Sequence, residues 1–350
     1  MADWNAIKLG LNVLGVWLSF VAFGWALEAL TRTEFGAEKE RWAFYNVLIL
    51  LQCVGNALVA ATALLATGQS LTGGVRSQSY ALVGAAMLGA HKFGIGALRY
   101  VTYPMQVLCK SCKPVPVLVG EVLVAGQRHK PHKFIAVLLL VGGVATFMLN
   151  RPGKGAKGAV FEWNENTAWG LCLLAAALCC DGLYGPYQNY LKKKHPAMKG
   201  LHLMLNVNVW EGQLAASLLT VGWLTSDGGP CELRDAMAFV ARHPEVRAKL
   251  AVVMGTMAVG CLFIFALQMA HGALVVTMTT TVRKLMSILF SVLWFGHAMA
   301  PVQWVAVMIV FTAGPMSRFF AGLFGFGPGA EPTKKTKDDG AEEEEPKKTK

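Results

Sequence analysis

Apolar residues run almost unbroken from Leu9 to Leu27, with Asn12 and Ser19 as the only polar interruptions. The same pattern recurs along most of the chain, each run near the ~20 residues a helix needs to cross about 30 Å of hydrocarbon. It predicts ten helices, at about 8–27, 43–66, 79–98, 101–125, 133–150, 167–191, 201–225, 249–270, 273–296 and 301–323. The fold class expected is therefore an all-α membrane protein. Composition agrees, with 54% hydrophobic and 15% charged residues and a mean hydropathy of +0.45, values outside the range of soluble domains. The first run is read as a span, not a cleaved leader, because Glu28 follows it where a small-residue cleavage site would stand.

The pattern changes at residue 328. Pro328 to Lys350 has no aromatic or aliphatic residue beyond Ala and is rich in Lys, Asp and Glu, so it is read as a disordered, charged cytosolic tail. Residues 1–327 form the transmembrane domain. Loop charges bear on orientation. Without the tail the two sides carry nearly equal Lys and Arg; the tail lysines, with the cluster Lys192–Lys194, tip the balance toward the side of both termini. By the positive-inside rule both termini are cytosolic, and the loop around Asp227 to Arg247 is lumenal.

Two distant stretches resemble one another. VTYPMQVLCKSCKPVPVL starts at Val101 and VTMTTTVRKLMSIL starts at Val276. Each opens on Val-Thr, carries basic residues two to three turns later, and precedes a Pro that begins another span. This pairs the fourth helix with the ninth. It divides the domain into repeat 1, about 8–150, and repeat 2, about 167–323; with five helices each, the repeats must have inverted topology.

Both stretches place charge at bilayer depth, which is costly and usually faces a cavity or partner. Lys110 and Lys113 are three apart on one helix face. Pro114 and Pro116 follow, and a helical Pro would deprive the carbonyls of Lys110 and Cys112 of their donors. Freed backbone at this depth needs protein or water, so the segment reads as a broken helix beside a wet cavity. Arg283 and Lys284 sit mid-span in the ninth helix. Four converging cations suit phosphates, for which Lys supplies point charge and Arg a planar fork. Snorkelling or ion pairing is the competing reading, with Glu121, Asp181 and Glu211 as possible partners. Lys92, Arg99, Glu28, Glu121 and Asp181 are taken as cavity charges; Tyr103, Gln106 and Thr280 complete the candidate substrate-binding set.

Other chemistry is poorly supported. Of eight cysteines, seven fall in apolar runs and only Cys231 in a loop, which is not a disulfide framework. Cys109-x-x-Cys112 lacks a second pair and is flanked by lysines, so no metal site is expected. His129 and His132 read as solvated loop histidines. His91 beside Lys92 suits a cavity-facing pair and a satisfied core histidine equally. No Walker A, dinucleotide fingerprint or nucleophile elbow is present. No cofactor and no nucleic-acid partner are expected.

The stretch YPMQVLCKSCKPVPVL resembles the signature of solute carrier family 35, subfamily B, the nucleotide-sugar transporters. WALEALTRTEFG (25–36), LQCVGNAL (51–58), LCCDGLYGPYQ (178–188) and TMTTTVRKLMSILFSVLWFGHAMAPVQWV (277–305) extend the likeness over nearly the whole membrane part. It implies ten helices of the drug/metabolite-transporter type and antiport across the endoplasmic reticulum or Golgi membrane. The implied substrate is UDP-galactose or a related UDP-sugar, with ATP/ADP exchange as the second assignment, and the phosphates would meet Lys110, Lys113, Arg283 and Lys284. The ending Lys-Lys-Thr-Lys resembles a dilysine retrieval signal, Lys347 and Lys348 being in place for coat machinery. Lys92 and Arg99 depart from the neutral residues usual there, and Cys261 stands where Gln is expected. A different class, a polytopic membrane transferase using a nucleotide-activated substrate, would also need buried cations. It would add a carboxylate cluster, whereas Glu28, Glu121, Asp181 and Glu211 are scattered.

Overall fold

A computed structural model describes residues 2–101, 103–127, 129–149, 165–226, 229, 231–294 and 301–323. Within these the chain is helical throughout: α1 (Ala2–Arg32), α2 (Tyr45–Ala66), α3 (Ala81–Ala97), α4 (Tyr103–Ser111), α5 (Pro114–Leu123), α6 (Pro131–Leu149), α7 (Glu165–Lys194), α8 (Gly200–Leu224), α9 (Glu232–Arg242), α10 (Val246–His271), α11 (Ala273–Trp294) and α12 (Pro301–Leu323). Four of them contain stretches both long and apolar enough to cross a membrane, Ile7–Arg32, Tyr45–Ala66, Thr167–Lys194 and Val246–His271. The tail, with Lys347 and Lys348, lies outside the described residues.

Helices form because every apolar run can satisfy its backbone internally, as the hydrocarbon requires. Their outer faces stay apolar: Leu18, Trp25, Leu65, Leu123, Leu138 and Leu224 are exposed. A contiguous apolar exterior of this kind is a lipid-facing surface. The closest helix pairs are α1 with α10, α2 with α8, α3 with α7, and α6 with α12. Each joins a helix from before residue 150 to one from after residue 164, so the two halves interlock.

Two elements differ from the sequence expectation. The fourth predicted span is two helices, α4 and α5, with the break at Cys112–Lys113. The carbonyls that the prolines were expected to orphan are taken up one residue early, Lys113 N–H donating to Lys110 O at 3.4 Å and Val115 N–H to Cys112 O at 3.0 Å. The second difference is α9, which lies in the expected loop. Its face Ala236 and Phe239 is buried against Phe35 and Trp42, and Phe35 and Phe239 meet edge-on. Glu40 accepts hydrogen bonds from Arg242 at 2.9 Å and His243 at 2.8 Å; these two partners hold its carboxyl below the usual carboxylate range. Cys231, expected in an open loop, is buried at the start of α9.

Candidate substrate-binding site

The site begins at a close crossing of α5 and α7. Pro186 lies inside α7 and has no N–H for the carbonyl of Gly182. A Cβ on Gly120 would land on that carbonyl and lie 2.8 Å from Pro186 Cγ, and a Cβ on Gly182 would lie 2.8 Å from Pro116 O. Only glycine at both positions lets the backbones meet. The residue before Gly182 in α7, Asp181, is thereby held against the broken fourth span. Its Oδ1 lies 2.8 Å from Lys113 Nζ and its Oδ2 3.8 Å from Lys110 Nζ, with Asp181 only 4% exposed.

The two lysines have further partners. Lys113 donates to Tyr184 Oη, one turn beyond Asp181. Lys110 donates to Ala90 O of α3 at 3.0 Å, and a Cβ on Gly94 would meet its ammonium at 2.8 Å. Lys284 comes from α11, within electrostatic range of Lys113, Lys110, Arg283 and Asp181. Among the described residues it has no ion pair. The guanidinium of Arg283 stacks on Phe20 of α1, 5.1 Å from the ring centroid. Basic groups of the broken fourth span and of α11 thus lie near one acid. Such an arrangement binds polyanions, because each phosphate oxygen can take a charge-assisted hydrogen bond.

The remaining predicted residues fall in several places. Gln106 donates to Gly94 O at 2.6 Å and so fastens α4 to α3. The Thr280 hydroxyl bonds Thr277 O in its own helix at 3.1 Å. The side chain of Tyr103 lies outside the described residues. Lys92 and Arg99 line a separate cavity of about 260 Å³ with Asn46, Tyr100 and Trp169; Lys92 donates to Asn46 Oδ1 at 2.7 Å. Glu28 pairs with Arg32 at 3.0 Å and is 57% exposed, the ordinary outcome for opposite charges four apart. His129 is not a solvated loop histidine: its Nε2 lies 2.6 Å from Glu121 Oε2 and its side chain is 4% exposed. His91 meets Glu211 at 2.7 Å. Tyr184 was missed by the sequence reading, although its place three residues after Asp181 puts both on one face of α7.

The sequence model of the UAA transporter family matches residues 8–318. Solute carrier family 35 member B1 of Bos taurus is 34% identical over 88% of this chain and 92% of its own length. The proteins of the same name from Xenopus laevis and Danio rerio are 32% and 33% identical over similar spans. A crystal structure of a protein 15% identical in sequence superposes with a TM-score of 0.54, covering 90% of this chain and 98% of that one; it bears on the fold alone.

Proposed function

The chain belongs to the UAA transporter family and is a multi-pass membrane transporter rather than an enzyme, and from this premise we propose that it exchanges nucleotides or nucleotide sugars across the endoplasmic reticulum or Golgi membrane. The observation that carries the reading is the contact of Lys110 and Lys113 with the buried Asp181 inside the bundle, with Lys284 of α11 within electrostatic range of all three. Neutral cargo would leave that excess of buried positive charge unexplained, whereas a diphosphate offsets it. UDP-galactose or a related UDP-sugar is the first substrate assignment and ATP/ADP exchange the second.

The architecture proposed is ten spans, with α4 and α5 together making the fourth and α9 lying outside the membrane, arranged as two inverted five-helix repeats. Transport is then the rocking of repeat 1 against repeat 2 around a fixed site. Both termini face the cytosol, and residues 328–350 form a cytosolic tail. In that tail Lys347 and Lys348 act as the retrieval signal read by coat machinery. Replacing both by Ser should release the protein to later compartments, and unchanged residence by imaging would remove the retrieval role.

The deciding experiment is counterflow in proteoliposomes against a panel of nucleotides and nucleotide sugars. Removing one partner of a desolvated charge pair costs ~2–5 kcal/mol. Lys113→Ala and Lys284→Ala should therefore nearly abolish exchange in folded, purified protein. Wild-type rate and affinity in both variants would show that these cations are not the phosphate site.

A further inference from the structure

The substrate-free site is not a set of bare cations. Asp181 is buried, and its Oδ1 is in ion-pair contact with Lys113 at 2.8 Å. Its Oδ2 is buried and, among the described residues, accepts no hydrogen bond, with Lys110 standing off at 3.8 Å. The carboxylate therefore holds one lysine firmly and the other at arm's length. Gly182 beside it is packed against the backbone of Pro116. One carboxylate does not balance Lys110, Lys113 and Lys284.

We propose that Asp181 is a built-in counter-anion, standing in for substrate phosphate on Lys113 and Lys110 in the empty carrier and giving up these lysines when a phosphate arrives. This rests on the phosphate reading of the site. The diphosphate of a nucleotide or nucleotide sugar carries at least two negative charges and more acceptor oxygens than the single charge and two oxygens of Asp181, so it takes over the lysines and reaches toward Lys284 as well. Two consequences follow for transport. Asp181 competes with every substrate, so it weakens binding and permits release. It also lowers the cost of closing the empty site, since a desolvated cation with a carboxylate partner is far cheaper than one without. The carrier can then return unloaded, and exchange is favoured without being obligatory.

Asp181→Asn tests this, because the amide keeps the shape and can still accept from Lys113 while the charge is lost. Three readouts are taken on purified protein: melting temperature without ligand, Kd for nucleotide and for inorganic pyrophosphate, and the ratio of exchange to net uptake in proteoliposomes. The empty variant should melt lower than wild type and be restored by pyrophosphate. Both ligands should bind roughly tenfold tighter, equivalent to ~1.4 kcal/mol, and the ratio of exchange to net uptake should rise. Asp181→Glu, which keeps the charge, should behave like wild type. A merely structural Asp181 would instead give weaker binding and an unchanged ratio, and that result overturns the proposal. If pyrophosphate restores the Asn variant while neither protein binds nucleotide, the counter-anion stands and the nucleotide reading falls. Should the Asn variant not survive empty, Asp181→Asn combined with Lys110→Gln removes one charge of each sign. Its recovery supports the proposal, and failure of both variants overturns it.

Discussion

Lys110 and Lys113 share Asp181 and Arg283 lies against an aromatic ring, whereas Lys284 has no ion pair among the described residues and lies within electrostatic range of three cations and Asp181. An incoming anion would offset that charge. The exchange assay can separate charge from shape there. Lys284→Arg keeps the charge but puts a planar fork where a compact ammonium sits, so it should retain exchange that Lys284→Ala loses, at reduced affinity. At this scale the four cations were legible in the sequence, because a charge inside an apolar run is anomalous whatever surrounds it. What each cation pairs with was not. Asp181 lies 68 or more positions from both lysines it meets, and nothing in local spacing links them. His129 was misread although its partner Glu121 is only eight residues away, because the turn between them brings the two side chains together. The Glu28 pair had a usable local signal, since Arg32 stands four residues on.

Helix crossings decide whether the charges meet at all. The crossing of α5 and α7 brings Asp181 to Lys113 only because Gly120 and Gly182 have no side chains and Pro186 leaves the Gly182 carbonyl free to face Gly120. Gly120→Ala should force the helices apart and cost ~1–3 kcal/mol in overpacking, read as a lower melting temperature, with exchange falling as Asp181 moves from Lys113. Gly142 of α6 has open space around it, so Gly142→Ala is the matched control and should change neither. Equal behaviour of the two variants would mean that the crossing does not position the site. The sequence showed the break between α4 and α5 through Pro114 and Pro116, because proline acts locally. It did not show α9, whose eleven residues are too short and too charged to register as a span, and whose apolar face becomes visible only against Phe35 and Trp42.

The interlocking of the two halves was not readable at all, because it is a property of tertiary packing between runs that look alike in sequence. Its tightest polar expression lies at the end of the molecule where α5, α7 and α10 finish and α11 begins. Glu121 Oε1 accepts from Asn189 at 2.7 Å and from the backbone N–H of Leu274 at 3.1 Å, while Oε2 lies 2.6 Å from His129. Asn189 in turn accepts from Gln268 at 2.9 Å. One buried carboxylate thus ties α5 of the first half to α7 and α11 of the second. In the proposed topology this end faces the cytosol, and we predict that the cluster acts as a latch on that side. A two-state carrier must break such a latch to open there, and removing it should shift the population toward the cytosol-open state. Cys112, half-buried at the break beside Lys113, is a native reporter. With Cys112 kept as the one cysteine, Glu121→Ala should speed its modification by an impermeant maleimide added from the tail side, while labelling from the opposite side stays the same or slows. Unchanged labelling from the tail side would show that Glu121 braces the fold without gating it. Faster labelling from the opposite side only would place the latch at the lumenal end and invert the assigned orientation.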